Sequence, residues 1–357
     1  MLNLKEKINK QKLKTKSWFS KNEKYLIIGF FLGGLVLDNL TLTRIDRLFD
    51  NLIMGGYLFL AVFSIILISL AQTNRAINYA PRLVNFSKYF PLATQFAFGG
   101  LFSAYIIFYT KSASWATSWI FLLIFFGVFI GNERFRKQYK EIDFQINILF
   151  LALLSFMIFF VPVILKQMGD WIFILSGVIS IVLILALIKF ISRFILKINK
   201  ERKKKMFTHI IGVFVLFNLM YFLNIIPPIP LSMKELGIYR NIEKIENGNY
   251  LFEEVEVPWY SFGNNFIKIS QGPIYIYSSI FAPTNLKTEI VYEWSRFDEQ
   301  KGKWVLHSEV DYPITGGRSN GYRGYVYSFN LSVGEWKVDV KTKSDLVIGR
   351  IKFEIVK

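Results

Sequence analysis

The sequence predicts an α-helical transmembrane bundle of about seven spans followed by an all-β antiparallel sandwich, Ig-like or jelly-roll-like. Three observations predict it. Apolar stretches of about twenty residues, long enough to cross a ~30 Å hydrocarbon layer as helices, recur up to residue 226. Beyond Pro227, short stretches alternate apolar and polar side chains, as half-buried strands do. Charge changes at the same point. The first 226 residues hold 27 Lys/Arg against 10 Asp/Glu and the last 131 hold 16 of each, so the whole formal charge of +17 lies before Pro227.

Residues 1–24 form a basic arm with eight lysines between Lys5 and Lys24. The apolar stretch after it lacks a small-residue cleavage pattern, so the first helix is expected to be an uncleaved signal anchor. The helical domain is placed at 25–226, with spans near 25–43, 52–71, 91–110, 112–131, 144–165, 171–191 and 206–226. Pro162 lies one turn from the end of the fifth, where few helical bonds remain to be lost. With a cytoplasmic N-terminus, 23 Lys/Arg fall on the cytoplasmic side. Only Arg44, Arg47, Lys111 and Lys166 fall outside. The positive-inside rule therefore supports an odd number of spans and puts the C-terminal domain outside the cytoplasm.

Inside the bilayer, Gly29 and Gly33 and again Gly127 and Gly131 stand at GxxxG spacing, which lets helix backbones approach closely. Asp38 is the one acid well inside a span and a functional candidate on that ground. Its neighbours Asn39, Thr41 and Arg44 also fit a polar helix end at the outer interface.

Composition narrows the chemistry. There are no cysteines and two histidines, His209 and His307, so no thiol chemistry is available and no metal site or other cofactor is expected. His307, Ser308 and Glu309 are neighbours on a strand and face alternate ways, so they cannot converge as a triad. Trp304 and Leu306 are expected to point inward and His307 outward. The basic run Arg202 to Lys205 has no neighbouring reader of bases, so nucleic acid is not an expected partner.

Pro227-Pro-Ile-Pro230 is expected to close the last helix and, over 227–234, to form a stiff extended spacer. The sandwich is placed at 235–357, with strands near 250–257, 273–281, 287–298, 303–311, 322–330, 334–343 and 346–356. Alternation is clearest at the end. Trp336, Val338 and Val340 face one way and Lys337, Asp339 and Lys341 the other, and a turn near Ser344-Asp345 leads into Ile351, Phe353 and Ile355.

The segment Tyr312 to Tyr325 holds four glycines and an asparagine, which allow a tight loop path beside Arg318, Tyr322, Arg323 and Tyr325. With Gly334-Glu-Trp-Lys-Val-Asp-Val340, Ile348-Gly-Arg350, Phe281-Ala-Pro-Thr284, Trp294 and Trp304, it makes roughly residues 230–357 resemble the C-terminal module called domain of unknown function 2914. The resemblance implies a bacterial protein with a helical membrane region before this module, and it supplies no catalytic residues.

Two readings of the loop stay open. In one, Arg318 and Arg323 offer planar forks to carboxylate or phosphate while Tyr322 and Tyr325 stack on sugar rings. In the other, the arginines pair with acids such as Asp311 or Glu309 and cover core edges. The corresponding function is a non-enzymatic membrane protein that presents the sandwich to an envelope glycan, an anionic lipid headgroup or another envelope protein. The alternative is a transporter or intramembrane enzyme whose bundle carries the activity.

Overall fold

The computed structural model describes residues 42, 44–73, 78, 80–112, 118–134, 138, 141–246, 249–255, 265–268, 272–318 and 320–356. The chain divides into two units, Met1–Thr43 and Arg44–Lys357, and everything below except Leu42 belongs to the second. The expected span 25–43, with Gly29, Gly33 and Asp38, lies outside the described residues.

Among the described residues seven α-helices follow: α1 (Leu48–Ala71), the short α2 (Pro81–Phe86), α3 (Phe90–Ser112), α4 (Trp119–Arg134), α5 (Ile142–Leu165), α6 (Asp170–Phe194) and α7 (Lys200–Phe222). Among the described residues five of them, α1, α3, α5, α6 and α7, are long and apolar enough to cross a membrane. The apolar part of α4, Trp119–Gly131, is shorter, so the described residues do not bear out seven spans. Side chains such as Phe59, Val182 and Leu219 are exposed on the helices, which is compatible with a lipid-facing surface.

Local chemistry sets several boundaries. Asn199 caps α7, its side-chain oxygen accepting from Arg202 N at 2.9 Å. Pro162 stays inside α5, and Lys166 ends that helix in the left-handed conformation. The interior of the bundle is aromatic. Tyr105, Tyr109, Phe121, Phe125 and Phe159 are buried in mutual edge or tilted contacts. Tyr105 donates to the Ala152 carbonyl at 2.8 Å, which satisfies the one polar atom such a ring carries inward.

Close helix approach occurs at glycines other than those singled out by spacing. A Cβ on Gly100 would lie 2.6 Å from the Tyr57 ring, and one on Gly177 would lie 2.3 Å from Phe214. Among the described residues a Cβ on Gly127 would meet nothing within 4 Å, so Gly127 marks no close contact with them. GxxxG spacing fixes which residues share a face, but not which face meets a neighbour.

The C-terminal region is two facing sheets. One has the order β2-β1-β4-β7, from β1 (Ser232–Lys244), β2 (Tyr250–Glu254), β4 (Ile274–Phe281) and β7 (Tyr322–Ser328). The other has the order β3-β9-β8-β5-β6, from β3 (Asn265–Lys268), β5 (Lys287–Asp298), β6 (Lys303–Thr315), β8 (Gly334–Thr342) and β9 (Val347–Val356). All pairings are antiparallel except β3 with β9, which is parallel. The core lies between the sheets. Ile276, Ile280 and Val326 from one meet Ile290, Trp294, Trp336, Val338 and Val340 from the other. Each fully buried aliphatic side chain of this kind contributes about 1.5–3 kcal/mol.

Three expectations are corrected here. Residues 227–230 are not an extended spacer. They form a buried turn, with Leu231 N donating to the Pro228 carbonyl at 2.9 Å, and β1 starts at once at Ser232. β1 and β3 carry too little alternation to be read as strands; their neighbours on the sheets fix them. Leu306 does not point inward, being 55% exposed, and Trp304 is only half-buried. β6 is an edge strand, and its register with β5 slips between Trp294 and Ser295, which resets the alternation. His307 is exposed, as expected, with its ring edge on Trp336 at 5.0 Å.

Candidate functional site: a tyrosine-rich sheet face above the helix ends

One end of the sandwich is bonded to the helices. Asp46, just before α1, accepts from Thr284 N and Thr284 Oγ1 in the β4–β5 turn, both at 3.0 Å, and from Arg44 Nη2 at 2.8 Å. Ser232 at the start of β1 donates to the Lys111 carbonyl at the end of α3. The Tyr221 hydroxyl near the end of α7 donates to Asp170 at 3.0 Å. Met168, between α5 and α6, packs against the sandwich core. The far end of the bundle is marked by Arg202, whose Nε lies 3.1 Å from Asp143.

Burial alone would raise the Asp46 carboxyl, but the hydrogen bonds from Arg44 and Thr284 outweigh it and hold the group below the usual carboxylate range. A lowered folded pKa stabilises above the unfolded value of about 3.9, and that contribution is lost as pH falls through the folded value. Asp46→Asn is expected to cost about 1–2 kcal/mol at pH 7, because two Thr284 donors lose a charged acceptor. Melting the wild type and variant from pH 7 to pH 2 checks this: the gap should close below about pH 4. A gap that persists at pH 2 would rule out ionised Asp46 as its source.

The four residues singled out in the Gly/Arg/Tyr segment do not share one face. Tyr322 points between the sheets, edge-on to Tyr312 at 5.9 Å, and the exposed Arg318 lies over it at 4.9 Å. Arg323 and Tyr325 point outward from β7. Among the described residues neither Arg318 nor Arg323 is in an ion pair. Glu309 instead reaches Lys341 at 3.4 Å.

Arg323 is held by the β1–β2 hairpin. Tyr250 stands opposite Lys244, while Arg323 stands opposite Ser279, which faces Glu235. In a flat sheet Lys244 and Glu235 would be roughly 30 Å apart. Yet the Tyr250 hydroxyl donates to the Arg323 carbonyl at 3.4 Å, and Arg323 donates to Asn249 at 3.4 Å. The hairpin therefore folds back over the outer face of the sheet. The register slip between Tyr239 and Asn241 is the place where it bends. Beneath it, Ile242 and Tyr277 are buried and Phe252 stacks on Tyr239 at 4.4 Å.

Among the described residues, what stays open is the end of this face away from the helices. There the register places Glu254, Tyr239, Tyr275 and Tyr327 in one row across β2, β1, β4 and β7. Tyr275 is 5.7 Å from Tyr325 and 5.4 Å from Tyr327, and Tyr327 is 5.4 Å from Phe329. Tyr327 is 51% exposed and Phe329 57%, while Tyr275 and Tyr239 are half-buried. Gly237 matters here, because a Cβ on it would lie 2.7 Å from the Tyr239 ring, which is laid over it. Of this row the sequence reading reached only the neighbouring Tyr325. The signal was present as Tyr275 and Tyr277, then Tyr325 and Tyr327, each pair at the two-residue spacing of one strand face.

Comparison with known proteins bears on the module but not on this face. No curated protein matches the chain. Among solved structures the chain is similar to Pseudomonas fluorescens alkylpurine DNA glycosylase AlkC bound to DNA containing an abasic site analog. That similarity has 9% identity, covers 88% of this chain and 100% of that one, and has a TM-score of 0.24, too low to carry any argument. A family model described as "Protein of unknown function (DUF2914)" matches residues 287–355, the span of β5 to β9. The C-terminal module of this chain thus carries the signature of domain of unknown function 2914, over a shorter stretch than its motifs suggest.

Proposed function

We propose that this chain is a non-enzymatic, multi-pass protein of the bacterial cytoplasmic membrane whose sandwich, on the extracytoplasmic side, binds or assembles with an envelope component. The observation that carries the reading is the exposed tyrosine row. It lies six residues along β4 from Phe281, roughly 20 Å from the end bonded to the helices, where a partner in the envelope would meet it. The bundle holds the sandwich, and the row does the binding. The orientation is supported by the loops at the two ends. The sparsely basic ones, with Arg44, Lys111 and Lys166, lie at the sandwich end, and the start of α7 with its run of lysines lies at the other. Glycan, anionic headgroup and protein are the classes of partner considered.

Because the chain has no native cysteine, topology can be read with single cysteines at Lys166, Lys203 and Gln300. An impermeant thiol reagent on intact spheroplasts should label the first and third but not the second. Label on Lys203 alone inverts the orientation. For binding, a photo-crosslinker at Phe329 in cells should give an adduct that disappears in the Tyr275→Ala/Tyr327→Ala double variant. An adduct unchanged in a folded double variant removes the row from the function.

A further inference from the structure

The row has a chemistry of its own, and it narrows the class of ligand. Three of its four side chains are tyrosines; Tyr239 is covered by Phe252, stacked on it at 4.4 Å, and Tyr275 and Tyr327 offer π faces bounded by hydroxyls. The Tyr275 and Tyr327 rings stand side by side at 5.4 Å on neighbouring strands, and Phe329 extends the surface by a further 5.4 Å. The row ends in a carboxylate. Glu254 is exposed and is in no ion pair among the described residues. Arg240, which follows Tyr239, is paired with Glu253 at 3.7 Å, and Arg323 is engaged by Tyr250 and Asn249 under the hairpin.

From these features we infer that the Glu254–Tyr239–Tyr275–Tyr327 row is a binding site for an uncharged saccharide chain. The apolar C–H faces of successive pyranose rings would lie on Tyr275 and Tyr327, and Glu254 would accept hydrogen bonds from sugar hydroxyls. Phosphate headgroups and acidic polymers fit poorly, because the one formal charge in the row is negative and a like charge there repels them. Stacking on a sugar face requires an aromatic ring, which the row supplies at Tyr275 and Tyr327. This inference rests on the proposal that the row binds an envelope component, and it names the class of that component.

The test uses the full-length protein in nanodiscs. Two neutral probes, N-acetylglucosamine hexasaccharide and cellohexaose, are compared with one acidic probe, polygalacturonate. At least one neutral hexasaccharide is expected to bind. Tyr275→Leu should weaken it about tenfold, about what the loss of one well-stacked ring removes, while Tyr275→Phe stays close to wild type. Glu254→Gln should weaken it by a smaller factor. Wild-type binding by Tyr275→Leu overturns the inference, as does binding of neither neutral probe. So does binding of the acidic polymer that strengthens in Glu254→Gln. If the neutral probes fail while the Phe329 adduct persists and depends on Tyr275 and Tyr327, the saccharide class is wrong and the binding role stands. If that adduct is also indifferent to both tyrosines, both readings fall.

Discussion

Replacing Gly316 by alanine is expected to destabilise the sandwich strongly and leave the helices intact. Gly316 sits where the Gly/Arg/Tyr loop crosses the β4–β5 turn. Its N–H donates to the Leu286 carbonyl at 2.8 Å, and that of Gly317 donates to the Ala282 carbonyl at 3.2 Å. A Cβ at position 316 would lie 1.9 Å from the Pro283 carbonyl oxygen and 2.7 Å from that of Ala282. Both are backbone atoms, so no rotamer change relieves the clash and one of the two crossing segments must move. The same turn carries Thr284, the partner of Asp46, so the disturbance reaches the junction with the helices. A loss of about 4 kcal/mol is expected, in the range reserved for such steric mechanisms, with a fall in the melting point of roughly 15 °C. Gly302→Ala is the control. Gly302 has φ +60° but open space around it, so alanine there costs only the left-handed penalty of about 1–2 kcal/mol. Near-UV circular dichroism of the buried Trp294 and Trp336, followed on heating, reads the sandwich apart from the helical signal. Equal melting of the two variants would refute the steric account.

Asp339→Ala is expected to destabilise the sandwich by about 3 kcal/mol, from the opposite sheet. Asp339 is on the outward face of β8 yet only 4% exposed. Arg350 on β9 grips both carboxylate oxygens, with Nη2 to Oδ2 at 2.8 Å, and Lys337 Nζ lies 3.1 Å away. Removing the carboxylate leaves two largely covered cations facing each other with nothing between them. The cost comes mainly from those unpaired charges rather than from the intact group. Replacing the charges together should therefore cost much less. An Asp339→Leu/Lys337→Leu/Arg350→Leu triple variant that melts below Asp339→Ala would show the loss is packing and not charge. Midpoints in urea, measured on the full chain in detergent, make the comparison.

Alternation made most of the second sheet legible. Trp336, Val338 and Val340 point inward as their spacing requires, and Lys337, Asp339 and Lys341 point out. Alternation fails where register slips. The slip opposite His307 turned Leu306 outward, and the slip at the bend of β1 folded a hairpin back over its own sheet. Neither slip leaves a mark in composition. The Gly/Arg/Tyr segment illustrates the same limit at the candidate site. Its glycines correctly announce a constrained crossing, since Gly316 and Gly324 have no room for a side chain. Its arginines and tyrosines, however, divide between two faces, and the partners of Arg323, Tyr250 and Asn249, come from elsewhere in the chain.

The sequence by itself determines the division at Pro227, the helical character before it, the strands with clean alternation after it and the motifs matched by domain of unknown function 2914. These depend on periodicity and composition, which are local. Only the tertiary structure decided that the proline segment is a buried turn and that the sandwich is bonded to the helix ends through Asp46 and Ser232. It alone decided that tyrosines from three strands line up beside Glu254. Those facts depend on which strands pair and where their registers slip. Pairing brings together residues as far apart as Tyr239 and Tyr327, and no local pattern records it.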